Sequence, residues 1–367
     1  MKRTLTCILI ITTLLTLLFT SCNADASAGL FKQLAEAKKP VDIRYRQIIG
    51  TDGSDLYFLT NDGIYKTDGT TTTTVRKNEK GHPVYEAYIY IDKSTATHYI
   101  IYLINDGDTA KVYRFDPSGI PDPEMAFGTS LAEPKVKHLL PNGKIVVQGK
   151  KSGTNAFAII TYNYSKESFV SEEIFEDLYG YGLDSILFMS GNQQDPDEFI
   201  ISFVKGKSFK HYYQKQTNAV TLDSSLAGFW INGTNLYLIS RDGKLYGSDI
   251  SGAPTGPDIL KSLSKEYPSN AFIYGFSSGT DTHLITKTTT ANEALFVVSI
   301  DNTNAVDTTV VSTGYASQMS NINIVSAFEK AAGKLLIATE KNGMFDISID
   351  DAVTGEGTSA GPEDYSL

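Results

Sequence analysis

The stretch DLYFLTNDGIYKTDG, Asp55–Gly69, places two apolar runs on either side of Asp62-Gly63. It recurs as NLYLISRDGKLYGSD at Asn235–Asp249 and as KLLIATEKNGMFDIS at Lys334–Ser348. An apolar run, an Asp-Gly or Asn-Gly step and a second apolar run read as strand, tight turn, strand. Glycine supplies the positive φ of the turn, and Asp or Asn tolerates its neighbourhood.

Looser copies fill the intervals: His98–Gly119, Lys144–Ser165, Glu198–Gln216 and His283–Asn304. The seven hairpins have first strands beginning near Leu56, Tyr99, Ile145, Phe199, Leu236, Leu284 and Leu335, spaced by 37 to 54 residues. A period of this length, with several strands in each, marks a β-propeller, in which each four-stranded blade covers its two faces by stacking on two neighbours. Runs such as YIIYL and ALFVVSI are continuously apolar, as strands with no wet face should be. Inner strands are expected at IRYRQII, VYEAYIYI, VKHLL, SILFMS, AGFWI, AFIYGF and INIVSAF. Outer strands are expected at TTTTVRK, ESFVSEE, NAVTLD and AVDTTVVS. Acids at Asp116, Asp249, Asp301 and Asp350 close the second hairpin strand and are expected to hold the turn to the outer one. The fold class is therefore all-β, a propeller of seven four-stranded blades, with six and eight as the neighbouring alternatives. The last blade lacks an evident outer strand; residues 38–42 or the tail after Val353 are candidates to complete it.

KLYGSDISG resembles the blade core of pyrroloquinoline-quinone-type propellers, and LLIATEKNGMFDIS resembles the repeat of sensor-type periplasmic propellers. The resemblance spans some two dozen residues and implies the superfamily shape. Quinoprotein blades usually repeat a tryptophan, whereas this chain has one, Trp230.

The N-terminus carries a different signal. Lys2 and Arg3 precede an apolar run from Leu5 to Phe19, too short to span a bilayer, followed by Thr20, Ser21 and Cys22. FTSC resembles the lipobox of bacterial lipoproteins, with Phe19 where leucine is commoner. The resemblance implies cleavage before Cys22, diacylglycerol on its sulfur and a further acyl chain on the new amino terminus. Asn23 in place of the inner-membrane retention Asp favours the outer membrane. The expected organisation is a signal peptide over 1–21, a tether with one short helix over 22–40, a propeller over 41–355 and a mobile acidic tail over 356–367.

Cys7 and Cys22 are the only cysteines, so the mature chain would hold no disulfide, cysteine nucleophile or Cys-ligated zinc. The net charge of −10 becomes −12 once Lys2 and Arg3 are removed, and no basic run offsets it. Nucleic acid and anionic headgroups are poor partners for a uniformly acidic surface.

Five histidines, His82, His98, His138, His211 and His283, show no paired ligand spacing. His98 and His283 occupy matching hairpin positions. GFSSG at Gly275–Gly279 matches G-x-S-x-G but runs on into a strand instead of the required helix. NQQDPDE, Asn192–Glu198, gathers three acids without the spacing of a calcium loop. Twenty-one tyrosines, among them Tyr85, Tyr88, Tyr90, Tyr99 and Tyr102, suit strands and interblade packing, or a binding face. No catalytic or metal set and no cofactor is assigned, and ligand-binding residues stay unassigned. The reading is a non-enzymatic envelope propeller held to the membrane by acyl chains on Cys22 and binding an envelope protein. A carbohydrate or small-ligand receptor, and an envelope hydrolase or quinone-dependent oxidoreductase using the central channel, are the alternatives.

Overall fold

The computed structural model describes residues 44–363 except 80–81, 93–94, 107–108, 116–123, 127, 142, 177–185, 192–198, 206–207, 214–215, 222–223, 225, 233–234, 250–257, 269–270, 291–292, 294, 312–322, 332, 342 and 355–361. Cys22, the expected tether, the acidic loop 192–198 and Asp116 lie outside the described residues.

The first strands are β1 (Tyr45–Asp52), β2 (Asp55–Thr60), β3 (Gly63–Thr67) and β4 (Thr72–Lys77), paired in chain order and antiparallel. The same meander recurs in β12 (Ile186–Gly191) to β15 (Gln216–Thr221), with β13 at Phe199–Lys205 and β14 at Ser208–Tyr213. It recurs in β16 (Leu226–Asn232), β17 (Asn235–Ser240), β18 (Lys244–Asp249) and β19 (Asp258–Ser262). It recurs again in β20 (Ile273–Ser278), β21 (Asp281–Thr286), β22 (Leu295–Ile300) and β23 (Val306–Val311). Between the first and second of these sheets run β5 (Val84–Asp92), β6 (Thr97–Asp106), β7 (Thr109–Phe115), β8 (Ala132–Leu139), β9 (Ile145–Lys151), β10 (Thr154–Asn163) and β11 (Ser168–Glu176). They form one seven-stranded sheet in which β7 and β8 meet only at Ala110 and Val136. The last sheet is β24 (Ile324–Ala331), β25 (Lys334–Thr339), β26 (Met344–Ser348) and β27 (Pro362–Glu363).

All seven hairpins read from the sequence are present. The second strands carry the core: β2, β17, β21 and β25 each end in five consecutive buried residues. Full burial of side chains such as Phe58, Leu59 and Ile64 stabilises by about 1.5–3 kcal/mol each. Outer strands β4, β19 and β23 are largely exposed or half-buried, and each mixes polar with apolar residues.

The sheets stack face to face. Ile49, Tyr57 and Ile64 of the first meander pack on Ala87, Ile89 and Tyr102 of the next. On its other side Ile48, Phe58 and Tyr65 pack on Leu336, Ala338 and Met344 of the last sheet. The first and last meanders are thus in contact, and the arrangement is a β-propeller. The junction also carries Tyr45 N–H donating to the Glu340 carbonyl at 3.2 Å and an Arg44–Glu340 ion pair at 3.3 Å.

Two local features were not expected. In six first strands the pairing with the second strand skips one residue, near the start at Arg46, Tyr85, Leu187, Ala227 and Val325 and farther along at Lys137. Such a bulge sharpens the twist of the strand without needing glycine, so it leaves no mark in the sequence. The other is a buried hydroxyl at the last residue of a second strand. Thr60, Ser240, Thr286 and Thr339 donate to the carbonyls of Gly63, Lys244, Phe296 and Gly343 at 3.2, 3.3, 3.0 and 2.8 Å. This one is legible, as the final residue of FLT, LIS, LIT and IAT.

One expectation is corrected at the C-terminal end. Asp350 does not close a turn to an outer strand. It lies in a short helix α1 (Ile349–Thr354), because Ile349, Ala352 and Val353 recur at helical spacing and sit against the core of the last two sheets. The fourth strand of the last sheet comes from beyond that helix, with Pro362 and Glu363 opposite Phe345 and Met344.

Candidate functional site

The meander assigns every turn to one of two faces. The proximal face carries the starts of the first strands, the turns between second and third strands and the ends of the fourth. The distal face carries the turns between first and second and between third and fourth strands.

On the proximal side the bulged inner strands are tied to one another by side chains. Arg46 Nη1 donates to the Val84 carbonyl at 3.2 Å, and Tyr85 Oη to that of Lys137 at 3.3 Å. Each donor is the extra residue of its own strand. The next residue along makes a second link. Gln47 Nε2 donates to the Ala87 carbonyl at 2.7 Å, and Ala87 N–H returns to Gln47 Oε1 at 3.3 Å. Glu86 binds His138 Nδ1 through Oε1 at 2.6 Å and accepts Leu139 N–H through Oε2 at 2.7 Å. A polar relay therefore runs from β1 through β5 to β8. Burial, reinforced by the Glu86 charge, raises the Tyr85 phenol well above its ordinary pKa and keeps it a donor.

Glu86–His138 has the form of a carboxylate orienting an imidazole. Among the described residues no serine or threonine hydroxyl bonds to His138. Its chemistry here is adhesion between sheets. Glu86→Ala strips one acceptor from two donors and is expected to lower stability by about 2 kcal/mol, read from the urea midpoint at unchanged m-value.

On the distal side Asp52 pairs with His98 Nδ1 at 2.7 Å across the first two meanders. Asn232 Nδ2 spans to Ser277 Oγ at 3.1 Å and Thr282 Oγ1 at 2.8 Å. Asp301 performs the expected turn-holding, accepting Thr303 N–H at 2.8 Å and Ala305 N–H at 2.9 Å. The Thr303 hydroxyl first, and then these amides, hold its carboxyl below the usual range. Asp68 makes the same turn with Thr70 and Thr71, both at 2.8 Å.

His98 and His283 do not come together. His283 is 4 % exposed, bonds Ser299 Oγ at 2.8 Å and stacks on Phe276 at 5.1 Å. Among the described residues no three His, Cys, Asp or Glu side chains cluster as metal ligands. Burial lowers the His283 pKa below its ordinary 6.5. The unfolded chain then binds more protons as pH falls below 6.5. The stability present above that value is lost as pH drops through the folded pKa. His283→Gln, which keeps a polar contact but does not titrate, is expected to reduce this acid loss, measured as urea midpoints across the same pH range.

GFSSG is the body of β20 and its turn into β21, a strand–turn–strand path with no nucleophile elbow. Its Gly275 has a packing role, since a Cβ there would lie 2.2 Å from the Trp230 indole nitrogen. Among the described residues, tyrosines pack both within and between sheets. Tyr102 is fully buried and stacks on Tyr113 at 5.5 Å, and Tyr90 meets Tyr164 at 4.9 Å. Tyr99 lies under Arg114 at 5.0 Å. No helix among the described residues is long and apolar enough to cross a membrane.

No family model matches this sequence, and no curated protein does. Solved structures do match by shape. YCF48 from Cyanidioschyzon merolae superposes with a TM-score of 0.55 at 11 % identity, over 85 % of this chain and 97 % of that one. PorZ, an essential bacterial surface component of the type-IX secretion system of Porphyromonas gingivalis, gives 0.50 at 12 % identity over 84 % of this chain. A prolyl endopeptidase gives 0.53 at 12 % identity over 93 % of this chain. This chain spans 37 % of the PorZ chain and 54 % of the endopeptidase chain. At these identities the likeness establishes the fold.

Proposed function

We propose that this chain is a lipid-anchored propeller of the bacterial cell envelope, seven-bladed, acylated at Cys22 and acting as a non-enzymatic scaffold for another envelope protein. The observation that carries the scaffold reading is how the polar side chains are used. The conspicuous polar pairs on the inner strands, Gln47–Ala87 and Glu86–His138, are consumed in tying sheets together. What is left for recognition is the two broad loop faces of a closed ring. Seven blades follow if the seven-stranded sheet is divided at its single β7–β8 pair, which leaves one hairpin in each unit. PorZ, a surface component of a secretion system, is a propeller-containing neighbour in keeping with an envelope role. The outer membrane is favoured over the inner by Asn23.

Cross-linking in intact cells, followed by purification of the full-length chain and mass spectrometry, tests the scaffold. One or a few membrane or envelope proteins are expected as reproducible adducts that vanish on charge reversal within one loop face. Recovery of self-adducts alone refutes it.

A further inference from the structure

A net charge of −10 describes an evenly acidic surface only if the charges are evenly spread, and they are not. The proximal face exposes Arg46 at the start of β1, Lys77 at the end of β4, Lys135 at the start of β8, Arg241 between β17 and β18, and Lys341 between β25 and β26. None of these forms an ion pair within 4 Å among the described residues, although Lys135 lies in the field of Glu133, and half-buried Lys137 adjoins them. Most proximal acids are neutralised: Glu79 by Arg76 at 3.2 Å, Glu133 by Lys150 at 2.8 Å and Glu340 by Arg44 at 3.3 Å. Asp62, which accepts the Tyr65 hydroxyl at 2.7 Å, and exposed Glu266 are exceptions.

The distal face is the reverse. Asp258, Asp281, Asp301, Asp307 and Glu329 form no ion pair with Lys or Arg among the described residues, while Lys66 is shared between Asp55, at 2.9 Å, and the field of Asp68. Among the described residues, Lys166 and Lys334 are the exposed distal lysines without an ion pair. Among the described residues the charges are therefore unevenly divided, with the unpaired cations gathered on the face where the chain enters β1.

We propose that the proximal face lies against anionic phospholipid headgroups and that the acidic distal face points away from the bilayer. The proposal rests on acylation of Cys22. Residue 44 is 22 positions beyond that cysteine, a reach of at most roughly 75 Å, so chain length alone permits either face toward the membrane. Charge selects the proximal one. Each cation near an anionic surface contributes about 1 kcal/mol, roughly fivefold in partition, and the effect acts within about a Debye length of 8–10 Å. The distal carboxylates are repelled by the same field.

The test uses the mature full-length chain on vesicles of phosphatidylcholine alone and of phosphatidylcholine with phosphatidylglycerol. Lysine labelling is read by mass spectrometry, with flotation of the same samples. Phosphatidylglycerol is expected to cut labelling of Lys77, Lys135 and Lys341 about fivefold while Lys166 and Lys334 are unchanged, and added salt should restore it. The exposed pair Lys135→Glu and Lys341→Glu should abolish the protection of Lys77, and protection that survives it overturns the electrostatic argument. Equal labelling of both faces on floating vesicles overturns the orientation and leaves the anchor standing. A wild-type chain that does not float overturns the anchor and, with it, the orientation.

Discussion

Gly243→Ala is expected to cost about 3–5 kcal/mol of stability, against about 1–2 kcal/mol for Gly53→Ala. Both glycines have positive φ, 77° and 61°, so both substitutions pay the left-handed strain of an L residue. The difference is what the new methyl meets. At Gly53 nothing lies within 4 Å of the added carbon. At Gly243 that carbon would sit 2.0 Å from the Lys265 carbonyl oxygen. A backbone carbonyl cannot swing aside as a side chain can. The segment is also pinned by Leu263 N–H on the Gly243 carbonyl at 2.8 Å and by Tyr267 N–H on that of Arg241 at 3.0 Å. Relief would require breaking the close approach of the chain to the hairpin turn. Gly63 stands in the same relation to the Arg76 carbonyl, also 2.0 Å away, so Gly63→Ala should behave like Gly243→Ala. Urea titration of the three variants decides the matter. Equal midpoints for Gly243→Ala and Gly53→Ala would show that φ alone governs these turns.

The second large effect concerns the address. Cys22→Ser is expected to abolish incorporation of labelled palmitate and to move the protein from the membrane fraction to the soluble or precursor pool. Serine has a hydroxyl where the thioether must form. Without its acyl chains the protein loses about 0.8 kcal/mol for each buried methylene, so the predicted change is a complete loss of stable anchoring. Because Cys22 precedes the first strand, which begins at Tyr45, by more than twenty residues, the urea midpoint of the processed variant should equal that of the wild type. Unchanged palmitate labelling in Cys22→Ser would end the lipoprotein reading, and with it the proposed orientation on the membrane.

The candidate site divides the same way between sequence and structure. Asp301 was legible, because an acid after an apolar strand and before Asn-Thr-Asn bonds its own downstream amides, a local interaction. Glu86–His138 was not. Its partners are 52 residues apart, and only the stacking of one inner strand beside another brings them to 2.6 Å. The chance match at GFSSG failed for a local reason that the sequence also showed, the strand that follows it.

By itself the sequence determined the repeated hairpin, its period and the strands it generates. Turn glycines and apolar runs act over a few residues, and β2, β17 and β25 appear where those patterns put them. Tertiary structure alone decided three other things. It bulged the inner strands at Arg46, Tyr85 and Lys137. Of the two segments the sequence offered to complete the last sheet, it chose the tail, with Pro362 and Glu363 beside β26. It sorted the free cations and anions onto opposite faces. Each of these depends on which segments lie next to one another after the ring closes, and a linear pattern carries no term for that neighbourhood.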